Sequence, residues 1–180
     1  MDTVRMVVIF DSDGVLLDTT RLTNLVAPWL EDLKKESITQ WDIARKVVIL
    51  CHADRVCDER LSAPVQMKEI IELFNTEGPG VEKYIVTKRP FVFGAKKRLI
   101  KQLNYVYGEG AFQAENIFSS FFSKDKASVI RRKILQPNMV GVMIDDNKDN
   151  LAGMPEGIIP LWFIGSVDGE TSMVIDLRAP

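Results

Sequence analysis

Asp11-Ser12-Asp13-Gly14 places two carboxylates two residues apart, directly after the apolar run Met6 to Phe10, with a glycine behind them that lets the chain turn sharply. A second acidic group, Asp145, Asp146 and Asp149, follows the apolar run Val140 to Ile144. Carboxylates that converge on one edge repel one another unless a hard cation joins them. Mg²⁺ suits such a set, because it prefers oxygen ligands, keeps several waters and bridges to substrate phosphates. Thr87, after Tyr84-Ile85-Val86, offers a hydroxyl donor, and Lys124 or Lys126 offers a positive charge for a phosphoryl oxygen. With one histidine, His52, and two cysteines, the commonest metal cages and most mechanisms that pair a nucleophile with histidine are hard to assemble. The chemistry that remains runs on carboxylates.

These residues need elements that bring them together. Val4 to Phe10 is a short apolar run ended by polar residues, which predicts a buried parallel strand with Asp11 at its carboxyl edge. From Thr19 to about Glu36 the apolar residues recur at helical spacing, although Pro28 interrupts them. A second helix is predicted from about Thr39 to Leu50 and a third from near Pro64, with Met67, Ile70, Ile71 and Phe74 on one side. After Glu77-Gly78-Pro79-Gly80, Tyr84 to Val86 reads as the second strand. Helices at Phe93 to Leu103 and Asp125 to Leu135 then alternate with strands at Ile117 to Phe118, Val140 to Ile144 and Ile159 to Ile164, with a small strand at Met173 to Leu177. Such alternation predicts an α/β fold: a three-layer, Rossmann-like core with a mainly parallel sheet of about five strands, covered on both faces. Ligands of such sheets sit beyond the carboxyl ends of the strands, where all the acidic residues named above fall.

The 180 residues carry 23 basic and 25 acidic side chains, a formal charge of −2, so no single-sign field marks the chain as a coat for DNA. Hydrophobic residues at 46% and charged residues at 27% suffice for a packed core and argue against intrinsic disorder. The run Met6 to Phe10 is too short for a signal peptide or an anchor, no stretch approaches the length of a spanning helix, and a cytoplasmic protein without membrane contact is expected. Neither GxGxxG nor GxxxxGK[ST] occurs, which removes the dinucleotide and P-loop readings.

Taken in order, FDSDGVLLD from Phe10 to Asp18, YIVT ending at Thr87, the lysine of SKDKASVI and VMIDDNKDN from Val142 to Asn150 resemble the four motifs of the haloacid dehalogenase superfamily. The resemblance covers about Val4 to Ile164. It implies a phosphatase in which Asp11 is the nucleophile and Asp13 the acid and base. The dehalogenase and phosphonatase branches place no carboxylic acid at the position of Asp13. It also implies that Thr87 and the motif lysine bind phosphoryl oxygens, and that Mg²⁺ is held by Asp11, the backbone carbonyl of Asp13 and Asp145. Lys126 is favoured over Lys124 as the motif lysine. The supporting carboxylate of the fourth motif falls to Asp146 or Asp149, with Asp149 preferred. The family's helical cap of the first type would occupy residues 19–63, leaving 1–18 and 64–180 as the core, and a cap this short fits a small phosphorylated metabolite or a nucleotide.

Other features compete for meaning. Lys88-Arg89 before Pro90 reads either as solvated loop charge or as a clamp on an anionic substrate. The basic stripes Lys96, Lys97, Arg98 and Lys101, and Arg131 to Lys133, read as wet helix faces, so a nucleic-acid partner is not favoured. Cys51, His52 and Cys57, with Trp29 and Trp41, read as packing residues of the helical segment. The expected activity is hydrolysis of phosphomonoesters. The alternatives are a nucleic-acid end phosphatase, a phosphomutase and a non-catalytic phosphate-binding or regulatory module. No oligomeric state follows from these residues.

Overall fold

The computed structural model describes residues 4–19, 24, 27–28, 39–56, 65–76, 80–164 and 173–176. Six strands form one sheet: β1 (Arg5–Phe10), β2 (Val81–Thr87), β3 (Ile117–Ser119), β4 (Met139–Asp145), β5 (Ile158–Ile164) and β6 (Met173–Asp176), in the order β3-β2-β1-β4-β5-β6. β1 to β5 run parallel, and β6 pairs antiparallel with β5 at the edge. The expected α/β fold with a mainly parallel sheet is therefore present, and the tail strand is real. Four helices are described: α1 (Gln40–Val56), α2 (Val65–Thr76), α3 (Ala95–Tyr107) and α4 (Lys126–Lys133).

β1 reads as an unbroken apolar run because both of its faces are covered. Val8 and Phe10 point into one core with Met67 and Ile71 of α2 and Leu99 and Leu103 of α3. Val7 and Ile9 point the other way, against Val129 and Ile130 of α4, Met143 and Leu151. Register follows from this alternation, since a slip of one residue would exchange the two cores. Phe10 pairs with both Ile85 and Ile144, so Asp11 leaves β1 beside the carboxyl ends of β2 and β4. The Asp11 amide continues the ladder by donating to the Ile144 carbonyl at 2.9 Å.

Local signals set the helix starts. Asp125 caps α4 by accepting the Ser128 amide at 2.6 Å, which aims Lys126, the first helical residue, at the strand ends. At α1, Thr39 Oγ1 accepts the Asp42 amide at 3.2 Å while Asp42 Oδ2 accepts the Thr39 amide at 3.0 Å, a reciprocal cap. About half of the segment expected as a cap falls outside the described residues; within it, α1 lies against α3. Trp41, expected to be packed, is 85% exposed on α1. From residue 41 to 50 only Asp42, Val47, Ile49 and Leu50 of this helix are even half-buried, so most of its surface meets water. Trp29, Cys57 and the predicted helix from Thr19 to Glu36 lie almost wholly outside the described residues, as do the side chains of Cys51 and His52.

Candidate active site

At the carboxyl ends of β1 and β4 the side chains of Asp11 and Asp145 face each other across Lys126. The Lys126 Nζ lies 2.7 Å from Asp11 Oδ2 and 2.6 Å from Asp145 Oδ2. Lys126 and Asp145 are fully buried and Asp11 is nearly so. Burial pushes the Asp11 carboxyl up to about 7; Lys126 opposes the rise, while Asp145 and Asp13 add to it. For Lys126 burial works against the charge, but the two carboxylates outweigh it and raise its pKa. Asp145 is also fixed from behind, its Oδ1 accepting the Asn147 amide at 2.9 Å and Asn150 Nδ2 at 3.1 Å.

A chain of polar contacts runs from this cluster along the ends of β1 and β2. Thr87 is fully buried, and its Oγ1 accepts the Arg89 amide at 3.1 Å and lies 2.7 Å from Ser12 Oγ. Ser12 Oγ also reaches Asp13 Oδ2 at 3.0 Å. The Arg89 guanidinium grips the same carboxylate: Nε lies 3.0 Å from Oδ1 and 2.8 Å from Oδ2, and Nη2 lies 2.6 Å from Oδ1. Burial would raise the Asp13 pKa, but the Arg89 charge with hydrogen bonds from Arg89 and Ser12 prevails and holds it below the ordinary value. Gly14 closes the turn at φ +78, where a side chain is strained, and a Cβ there would lie 2.2 Å from Asp146 Oδ2.

That contact brings in Asp146. Its carboxylate forms a group with Asp11 and Asp145 in which one oxygen from each lies within 4.8 Å of the others. Asp146 is the exposed member, sitting at the rim with protein crowding one side. This desolvation, helped by the Asp145 charge, pushes its carboxyl up to about 6. Trp162 of β5 holds the loop from outside, its Nε1 donating to the Asp146 carbonyl at 3.0 Å while Lys148 Nζ stands 3.7 Å from the centre of the indole.

No family model matches the sequence, and no curated protein matches it. Solved structures do. CbbY from Rhodobacter sphaeroides, determined with phosphate, overlaps 91% of the chain and 89% of its own at 12% identity and a TM-score of 0.49. The HAD domain of the effector protein Lem4 from Legionella pneumophila overlaps 94% and 91% at 16% identity and a TM-score of 0.46. A Thermotoga maritima protein assigned as a β-phosphoglucomutase overlaps 92% of the chain and 88% of its own, at 18% identity and a TM-score of 0.50. The chain shares the fold of the Thermotoga protein.

Within this fold the residues singled out by the motifs occupy different positions. Asp11, Asp145 and Lys126 meet directly, and Thr87 joins Asp13 through Ser12. Lys124 is exposed, on a surface hollow shared with Phe122, Arg131 and Arg132 that contains none of the carboxylates. Asp149, preferred from the sequence, is exposed on the turn Lys148–Leu151, where its amide donates to Asn147 Oδ1, and Asp146 is the residue that stands with Asp11 and Asp145. The reason is local: the chain leaves β4 through Asp146 over the Gly14 turn before the short helix carries Asp149 outward. Lys88 is exposed, while Arg89 is turned inward onto Asp13. Ser12, Gln102 and Asn150 hold the site together yet carry no sequence signal, being ordinary polar residues within or beside motifs.

The donor set fits a divalent cation. Three carboxylates face one lysine, leaving an excess of negative charge, and all the offered atoms are hard oxygens of the kind Mg²⁺ selects. Among the described residues no helix is long and apolar enough to cross a membrane.

Proposed function

We propose that this protein is a Mg²⁺-dependent phosphomonoester hydrolase that works through an aspartyl-phosphate at Asp11, on a small phosphorylated metabolite or a nucleotide. The observation that carries the reading is the sharing of buried Lys126 by Asp11 and Asp145 at adjacent strand ends, which presents a carboxylate oxygen beside a fixed positive charge. The order of motifs and the fold agree with it.

In the first step Asp11 attacks phosphorus, a bond from its oxygen to phosphorus forms, and the ester bond to the leaving oxygen breaks as that oxygen takes a proton from Asp13. In the second step water attacks the same phosphorus and gives its proton to Asp13, and the bond to Asp11 breaks, releasing inorganic phosphate. Lys126 and the Thr87 hydroxyl stabilise charge on the phosphoryl oxygens. Asp11, Asp145 and Asp146 would hold the Mg²⁺, with the Asp13 carbonyl as the backbone ligand; when bound, the ion supplies Lewis-acid stabilisation of the transferring group.

The test is phosphate release from 4-nitrophenyl phosphate with and without Mg²⁺, for the native chain and Asp11→Asn. Metal-dependent release that the variant abolishes supports the reading. Release that survives in Asp11→Asn overturns it, and so does Mg²⁺ binding by a folded chain that releases nothing, which would favour a phosphomutase or a silent phosphate-binding module.

A further inference from the structure

We propose that the hollow beside the start of α4 is a binding site for a nucleotide with two or more phosphates, separate from the carboxylate cluster. Phe122, Ser123, Lys124, Ser128, Arg131 and Arg132 line it, and it holds about 430 Å³. Pockets that take small ligands run from roughly 300 to 1,000 Å³. Three of the six lining side chains are cations and none is acidic. Asp125 interacts with Lys124 and Arg131, but its Oδ1 accepts the Ser128 amide at 2.6 Å, and one carboxylate leaves positive charge in excess.

Two of the cations are held in place. Arg132 Nε donates to the Ser128 carbonyl at 3.1 Å and its Nη2 reaches Ser123 Oγ at 3.4 Å, so the guanidinium ties the helix to the loop before it. Arg131 Nη2 donates to the Gly153 carbonyl. A guanidinium carries more donors than these contacts use, and its fork matches two phosphate oxygens at once. One phosphomonoester brings a charge of about −1.5 to −2, which three cations exceed, so the hollow has charge for a second phosphoryl group. Phe122 supplies the other half of the site. It is 71% exposed, and Phe121 stands edge-on to its ring, with centroids 4.9 Å apart. An aromatic ring beside phosphate donors is the pairing that holds nucleic-acid components, the ring stacking on a base while the cations take the phosphates.

A single nucleotide fits better than a polymer. α3, which carries Lys96, Lys97 and Lys101, covers the Val8 and Phe10 face of the sheet, whereas α4 covers the Val7 and Ile9 face, so the two basic stripes lie on opposite sides and form no continuous track. Lys126 of the same helix is buried against Asp11 and Asp145, so different faces of α4 serve the hollow and the carboxylates.

The experiment measures binding of ADP and of pyrophosphate by calorimetry, in EDTA at physiological ionic strength, to the native chain, Arg132→Gln, Phe122→Ala and Lys97→Gln. Without a divalent ion the carboxylate cluster repels phosphates, so the result does not depend on the proposed function. The native chain is expected to bind ADP at least about fivefold more tightly than pyrophosphate, and Phe122→Ala to erase that difference while leaving pyrophosphate unchanged. Arg132→Gln should weaken both ligands about tenfold. Lys97→Gln, on the exposed side of α3, should change neither by more than about twofold. No binding of ADP to the native chain overturns the inference. Equal affinity for ADP and pyrophosphate also overturns it, by showing an anion surface only. So does an equal loss in Lys97→Gln and Arg132→Gln, or tighter binding of a single-stranded oligothymidylate than of ADP, which would make the surface one for nucleic acid. Should Arg132→Gln fail to fold by circular dichroism, an ADP affinity unchanged in folded Phe122→Ala overturns it alone.

Discussion

At the amino end of β1, Arg5 pairs with Glu82 of β2 at 2.5 Å, with side chains 42% and 32% exposed; at the carboxyl end, Asp11 and Asp145 share Lys126, and the three are 7%, 0% and 0% exposed. The strand that separates the two pairings is six residues long. An exposed pair exchanges water for a partner at small cost and gains about 0 to 1 kcal/mol. A buried pair gives up hydration that its attraction only partly returns, and apolar residues of similar size would hold the fold as well or better. Stability accounts for the first pairing and not for the second, where the proposed chemistry would explain three charged groups held out of water. Their repulsion is also what a cation would relieve.

The contrast can be broken from its costly end. Asp11→Asn removes the proposed nucleophile and is expected to lower phosphate release by at least roughly 10³-fold while the chain still folds, as a phosphate assay with circular dichroism would show. A fully active variant would detach the buried cluster from catalysis. Lys126→Met leaves two buried carboxylates facing each other, and denaturant unfolding in chelator should show a loss of about 3 to 5 kcal/mol, against less than about 0.5 kcal/mol for Lys124→Met. Equal effects at the two positions would deny the special place of Lys126.

The same cluster makes a prediction about pH. Asp11 and Asp146 are raised from 3.8 to about 7 and about 6, so between the unfolded and folded values the native chain holds more protons than the unfolded one. Stability of the metal-free chain should therefore fall as pH rises from about 4 to 7. Mg²⁺ offsets the charge that causes the loss, and in thermal melts it should raise Tm more at pH 8 than at pH 5; an equal rise at both would count against these carboxylates as ligands. The smallest effect belongs to the open end of β1. Arg5→Ala should cost less than about 1 kcal/mol and leave activity intact, and a larger loss would end the comparison.

Much of this was legible in the residues because parallel strands buried on both faces are written as apolar runs. β1, β4 and β5 fall within a residue of their expected limits. β2 begins at Val81, three residues earlier than expected, because Glu82 and Lys83 look like loop residues and are only half-buried. α3 continues to Tyr107 because Val106 and Tyr107 pack on the core beyond Leu103, and α1 continues to Val56 through polar residues that show no apolar period. The meeting of Asp11 with Asp145 follows from strand order, which motifs at strand ends encode. The choice of Asp146 over Asp149 does not, since it depends on a turn packing over Gly14 from a strand far away in sequence. The grip of Arg89 on Asp13 spans 76 positions and rests on Gln102, which within α3 looks like any polar helix residue.

Trp162 turns the loop beside the site into an optical reporter. Its indole is hydrogen bonded to the backbone of Asp146 and capped by Lys148, so a cation that draws the Asp146 carboxylate inward changes both the polarity and the charge sensed by the ring. With Trp29 and Trp41 replaced by phenylalanine, the emission of the one remaining indole can be followed during a Mg²⁺ titration. Occupancy of the carboxylates then becomes readable in a cuvette without substrate, label or turnover.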